Sequence, residues 1–200
     1  MSSLGARERI LATAADLFYE HGFHAVAVDL IIERAGVAKT TLYRHFGSKD
    51  DLIVAYLDDA NTRFWSWFED AVNPNMSPRE QLVGLFDAVA KLATSAACLG
   101  CTFQVTAAEF PDAGHPGHAT ALDHKQSVRT RLRDLASAAG APEPTDLADG
   151  LLLLMDGAFA AARMYGRSSP AAGVATAART LIDAHLLPGR RTRSATRRSA

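Results

Sequence analysis

Ala35-Gly36-Val37-Ala38-Lys39-Thr40-Thr41-Leu42-Tyr43-Arg44-His45-Phe46-Gly47-Ser48-Lys49-Asp50-Asp51-Leu52 holds a turn, a short helix and the start of a second helix in one run. Gly36 falls where the helical apolar pattern of Val28, Ile31, Ile32 and Ala35 stops, and glycine ends a helix in the left-handed conformation without side-chain cost. Val37 is placed to plug the corner between two helices. Leu42 and Phe46, four apart, give the next short helix one buried face. Thr40, Tyr43 and Arg44 then point away from that face, with Lys39 at the helix start. Such a surface offers donors, a phenol and positive charge to the major groove, where Lys and Arg favour guanine edges and phosphates and a Thr methyl can meet the thymine methyl. The plainer alternative is a solvated polar face on a short helix. Ser48 is set to cap a long helix with Asp51 at its third position, and Lys49 beside that helix end is a natural phosphate contact.

Taken together, Ala35-Gly36-Val37, Thr41-Leu42-Tyr43, His45-Phe46, Ser48-Lys49 and Leu52 resemble the signature of the tetracycline-repressor (TetR) family of bacterial transcriptional regulators. The resemblance implies an all-α protein of about nine helices. Residues 1–47 are expected to form a three-helix helix-turn-helix head, residues 48–188 a helical regulatory and dimerisation body, and residues 189–200 a disordered basic tail. It also places His45 near a phosphate; the other reading has it satisfying a carbonyl at the helix end. The expected DNA contacts are Lys39, Thr40, Thr41, Tyr43, Arg44, His45 and Lys49. The chain departs from the family pattern at Ala27 and Ala38, where capping Thr and Ser are common, at Thr40, where Gly is frequent, and at Ile32, often Ala. Each missing cap costs a helix about 1 kcal/mol.

At 200 residues and 48% hydrophobic content the chain can bury a sizeable core. A net charge of −1 means that DNA affinity must come from a local patch doubled by dimerisation. No signal segment opens the sequence, and the densest apolar run, Leu151 to Met155, is broken by Asp156 and too short to span a bilayer, so a cytoplasmic location is expected.

The first helix carries the stripe Ile10, Ala14, Leu17, Phe18 and stops at Gly22. A helix from Ser48 to about Val72 has no glycine or proline and can serve as a stiff lever between head and body. Its aromatics Phe64, Trp65, Trp67 and Phe68 cannot share one face; Phe64 and Phe68 are expected to face the body, with a Trp lining a cavity or seam. Ser77-Pro78 starts a helix to about Ala97, and the stretch Cys98 to Gln104 starts another short helix that ends near Phe110-Pro111. Gly100-Cys101-x-Phe103 with Glu109-Phe110 resembles a regulatory-domain pattern of one branch of the same family.

The remaining helices run from Pro116 to Gly140, with Arg129, Arg131 and Arg133 on a solvated side, from Asp146 to Tyr165, and through Ala175 to Leu186. The Asp146 helix is apolar nearly all round and must be covered on two sides. With the last helix it is expected to form the homodimer interface that the family resemblance implies, and Asp156 within it is either an interface group or a polar anchor in a pocket. The pocket itself, for a small, largely apolar ligand, is expected to draw on Phe64, Phe68, Phe86, Phe103, Gln104, His124, Met155 and Phe159. The partners are thus an operator duplex, a small-molecule effector and a second copy of the chain, with no cofactor.

The rival chemistry is a metal- or thiol-responsive regulator built on Cys98-x-x-Cys101, with His115, His118 and His124 nearby in sequence. One tight couple and a scatter of histidines is a loose ligand pattern, and packing is the competing use. No Gly-x-Ser-x-Gly, His-Glu-x-x-His or phosphate-cradling glycine loop is present, and an enzyme would need Glu109, Asp156 and His124 to converge.

Overall fold

The computed structural model describes residues 5–186, and among them the chain is helical throughout, with turns but no strand. Residues 189–200, the expected basic tail, lie outside the described residues.

Three short helices build the head: α1 (Ala6–His21), α2 (Val28–Ala35) and α3 (Lys39–His45). Gly36 has φ 62° and ψ 45°, the left-handed conformation that lets the chain reverse between α2 and α3. Ile10, Ala14, Leu17, Phe18, Ile31, Leu42 and Phe46 are buried together, so the stripes expected on α1 and α3 do meet. Ala27 and Ala38 sit at the N-caps of α2 and α3, and neither supplies a side-chain cap.

Ser48 caps α4 (Lys49–Ala71) by accepting from the Asp51 amide at 3.0 Å. The helix joins two cores. Leu52, Ile53, Tyr56 and Leu57 bury themselves with the head helices, whereas Phe68 belongs to the body core. Phe103 and Ala121, from the body helices, complete the head-side core.

The body consists of α5 (Pro78–Ala93), α6 (Thr102–Glu109), α7 (Pro116–Ala138), α8 (Pro144–Tyr165) and α9 (Val174–Leu186), with two 3-10 turns between the last pair. Ser77 and Glu80 form a reciprocal capping box at the start of α5. This helix stops four residues earlier than expected. Thr94 hydroxyl donates to the Ala90 carbonyl at 2.7 Å, and Ser95 and Cys98 amides enter turn bonds, so local polar groups take over from the helical ladder. The arginines of α7 are not merely solvated: Arg129 pairs with Asp149 of α8, and Arg131 makes a two-pronged contact at 2.9 Å with Glu69 of α4. These are exposed pairs, each contributing about 0–1 kcal/mol. No helix among the described residues is long and apolar enough to cross a membrane.

Candidate functional site

The outward face of α3 is open. Lys39, Thr40, Tyr43, Arg44 and His45 are exposed, Tyr43 by 43%, while Leu42 and Phe46 are buried beneath them. Thr41 is half-buried. The Lys39 ammonium lies 3.3 Å from Asp29, a contact between exposed groups that water or a phosphate can replace. Arg7 of α1 stacks over the Phe46 ring at 5.2 Å, which brings a further cation to the same head.

Lys49 is placed differently from the other six expected DNA contacts. Its ammonium donates to the Phe23 carbonyl at 2.6 Å, and partial burial lowers its pKa against the opposing pull of Glu109 and Asp50. In this conformation it ties the start of α4 to the α1–α2 turn. Glu109, at the end of α6, grips the same turn: one carboxylate oxygen accepts from the amides of Phe23 at 2.9 Å and His24 at 2.7 Å. Head and body are thus latched through a charged acceptor. Phe110 lies between His24 and His115, stacked on the latter at 4.0 Å, and His118 bonds the Phe110 carbonyl.

These contacts account for the loop histidines as packing groups. Among the described residues no three His, Cys, Asp or Glu side chains come together in a way that could hold a metal ion. Cys98 is buried, Cys101 half-buried, and both are free thiols. Nor do Glu109, Asp156 and His124 converge: Glu109 holds the α1–α2 turn, Asp156 pairs with Lys125, and His124 bonds Asn61.

Where α1, α4, α6, α7 and α8 meet, a cavity of about 490 Å³ opens. Five of the eight expected pocket residues line it, Phe64, Phe103, His124, Met155 and Phe159. The other three do not. Phe68 and Phe86 are fully buried in the body core, and Gln104 turns its amide to the Asp156 carbonyl at 3.1 Å. Their apolar periodicity is that of core positions, which sequence spacing alone does not separate from a cavity wall. Trp67 is the tryptophan that lines it, whereas sequence reasoning missed Tyr56 and Lys125 as wall residues, and above all Ala15, Asp16 and Tyr19, which bring helix α1 of the head into the cavity wall.

His124 organises one side of the cavity. Its Nδ1 bonds Asn61 Oδ1 at 2.7 Å, its ring stacks on Phe103 at 3.6 Å with the planes 10° apart, and Phe64 meets it edge-on. Burial, reinforced by the neighbouring Lys125 charge, lowers its pKa to about 3, so the ring is neutral at physiological pH. Lys125 itself pairs with Asp156, so that carboxylate has a charged partner beside the cavity wall. Across the space, the Tyr19 hydroxyl accepts from the Leu99 amide at 2.8 Å and lies 3.4 Å from the Gly100 carbonyl. Gly100 adopts φ 98°, and a Cβ there would come within 2.9 Å of the Arg163 Cβ. The α5–α6 turn is therefore pinned to α1 and to α8 at once.

Residues 10–56 match the model of the family described as "Bacterial regulatory proteins, tetR family". The fold matches a crystal structure of a TetR-family transcriptional regulator from Streptomyces coelicolor with a TM-score of 0.86 and 31% identity, over 90% of this chain and 96% of that one. The chain belongs to the TetR family. A second structure, of a TetR-type transcriptional regulator from Streptomyces avermitilis, matches with a TM-score of 0.81 and 32% identity over 91% and 98%. Among curated relatives, the HTH-type transcriptional activator FasR of Mycolicibacterium smegmatis is 36% identical over 76 residues, 38% of this chain and 35% of its own length. The transcriptional repressor KstR2 of the same organism is 33% identical over 80 residues, 40% and 39%. The chain thus spans well under half the length of these curated relatives. As a TetR-family member it is a DNA-binding transcriptional regulator and not an enzyme.

Proposed function

We propose that this regulator is a ligand-responsive homodimer that reads a roughly palindromic operator and represses transcription until a small, largely apolar ligand releases it. Residues 1–47 are the reading unit and 48–188 the regulatory and dimerising body, at work in the cytoplasm. The observation that carries the reading is the cavity whose walls include both α1 of the head and α4, the helix that continues out of the head. A ligand there bears on the helices that position α3.

Base reading rests on Lys39, Thr40, Thr41, Tyr43, Arg44 and His45, with Lys49 joining a phosphate when its tie to Phe23 opens. The twofold contact uses α8 and α9. Leu153, Met164 and Tyr165 of α8 are 73%, 76% and 55% exposed, large apolar groups that a second copy would cover. Half-sites one helical turn apart place the two α3 helices about 34 Å apart. Lowering operator affinity a hundredfold requires the ligand to favour the other dimer conformation by about 2.7 kcal/mol. The name of KstR2, a repressor, supports repression, while that of FasR, an activator, points the other way.

Competition binding on the DNA flanking its own gene tests this. A salt-sensitive shift is expected that random duplex competes poorly, and that Tyr43→Ala with Arg44→Ala removes. Equal competition by random duplex would mean a general DNA-organising protein instead.

A further inference from the structure

The charged groups around the cavity distinguish between ligand classes. Lys125 is a half-buried cation of its wall, with 20% of its side chain exposed, and it bonds Asp156. An ammonium has three donors, so others remain after that contact. Arg63, on the more exposed side, gives one nitrogen of its guanidinium to Asp59 at 2.6 Å and keeps the rest of its fork. The lining carboxylate, Asp16, sits exposed on α1. His124 beside Lys125 contributes no charge of its own. Around these groups stand Phe64, Trp67, Phe103 and Phe159.

Each class of ligand meets this arrangement differently. A neutral apolar molecule would strip water from Lys125 and offer nothing in return, which is unfavourable for a partly buried charge. A cation would meet Lys125 and Arg63, with Asp156 and Asp59 already paired to them, and would be left with the exposed Asp16 as its carboxylate partner in the lining. An anion gives Lys125 a charge-assisted partner, and the aromatic walls accept its apolar body.

We propose that the ligand is an amphiphilic anion with a flat, aromatic or fused-ring body, its anionic group held by Lys125 and its apolar body resting against Tyr19 of α1. This rests on the reading of the cavity as the effector site and gives that ligand its chemistry. Asp16 repels negative charge from the α1 side, so the molecule has a defined orientation: charged end towards α7 and α8, apolar end towards the head. The end that touches α1 also touches the residue whose hydroxyl holds the α5–α6 turn.

Two dyes with the same aromatic frame test the class on the full chain. 8-Anilino-1-naphthalenesulfonate carries a sulfonate; N-phenyl-1-naphthylamine lacks it. Saturable fluorescence enhancement is expected with both, abolished by Ala60→Trp, which fills the cavity. Lys125→Gln keeps a donor for Asp156 and removes the charge; it should weaken the sulfonate dye about tenfold and leave the neutral dye within about twofold. Lys125→Arg should restore the sulfonate dye, and added salt should weaken only that dye. If Lys125→Gln affects both dyes alike, or neither, the anion inference is overturned while the cavity still binds ligands. If neither dye binds, or Ala60→Trp leaves both untouched, the effector-cavity reading falls as well.

Discussion

His124 makes the regulator's stability pH-dependent in a direction that can be stated beforehand. The ring is 4% exposed, stacked on Phe103 and wedged against Phe64, with Lys125 as its sequence neighbour. Desolvation first, and the Lys125 charge second, lower its pKa from 6.5 to about 3. The unfolded chain takes up this proton as the pH falls below 6.5, while the folded chain resists it. Stability is therefore whole above that pH and declines below it, by about 1.4 kcal/mol per pH unit, until the folded pKa is reached. Between pH 6.5 and about pH 5 the loss from this one residue is on the order of 2 kcal/mol, a large share of a typical stability of about 5–15 kcal/mol. Urea unfolding at fixed protein concentration, repeated from about pH 8 to 5, measures it. Every other ionisable group is common to both proteins, so the informative quantity is the difference between the wild type and His124→Gln. That difference should narrow steadily below pH 6.5 as the wild type alone loses the contribution of His124. Parallel curves across the whole range would refute the assignment of a neutral, desolvated ring.

Three other outcomes are expected. Glu109→Ala removes the shared acceptor of the Phe23 and His24 amides, and should cost about 1.5–3 kcal/mol in urea unfolding, with Glu109→Gln recovering part of it. Gly100→Ala places a Cβ at a left-handed position 2.9 Å from Arg163 Cβ, and should lower Tm by about 2–8 °C in a melting experiment. Leu153→Glu combined with Met164→Glu alters only exposed α8 positions, so sedimentation should show monomers while far-ultraviolet circular dichroism keeps its helical content.

Much of this architecture was legible because its signals are local. Ser48 with Asp51, Ser77 with Glu80, and the glycines 22 and 36 each act within one helical turn, and all four boundaries stand where their chemistry puts them. The outward set of α3 was legible for the same reason, since two buried positions fix the orientation of a seven-residue helix. The end of α5 was less so, because Thr94 and Ser95 compete with the backbone ladder without a glycine or proline to mark the stop. The cavity was legible only in part. Phe64, Phe68 and Phe86 look alike in a sequence, yet only the first borders open space. That Asp16 and Tyr19 join the wall depends on contacts some eighty residues apart along the chain, which no local pattern carries. The use of Lys49 and Glu109 as a latch is likewise long-range: their common partner is a turn between α1 and α2.

The head-side core holds Leu52, Ile53, Tyr56 and Leu57 from α4, and also Phe103 from α6 and Ala121 from α7. This limits how the protein can be recombined. A chimera that joins residues 1–47 to a foreign body would expose the undersides of α1 and α3 unless the new body supplies side chains of matching shape. A graft carried through residue 57 would keep most of that core, and the aromatic complementing Phe103 would become the position to redesign first. Swapping operator specificity by exchanging Thr40, Tyr43, Arg44 and His45 avoids the problem, because those side chains are exposed and lie outside that core.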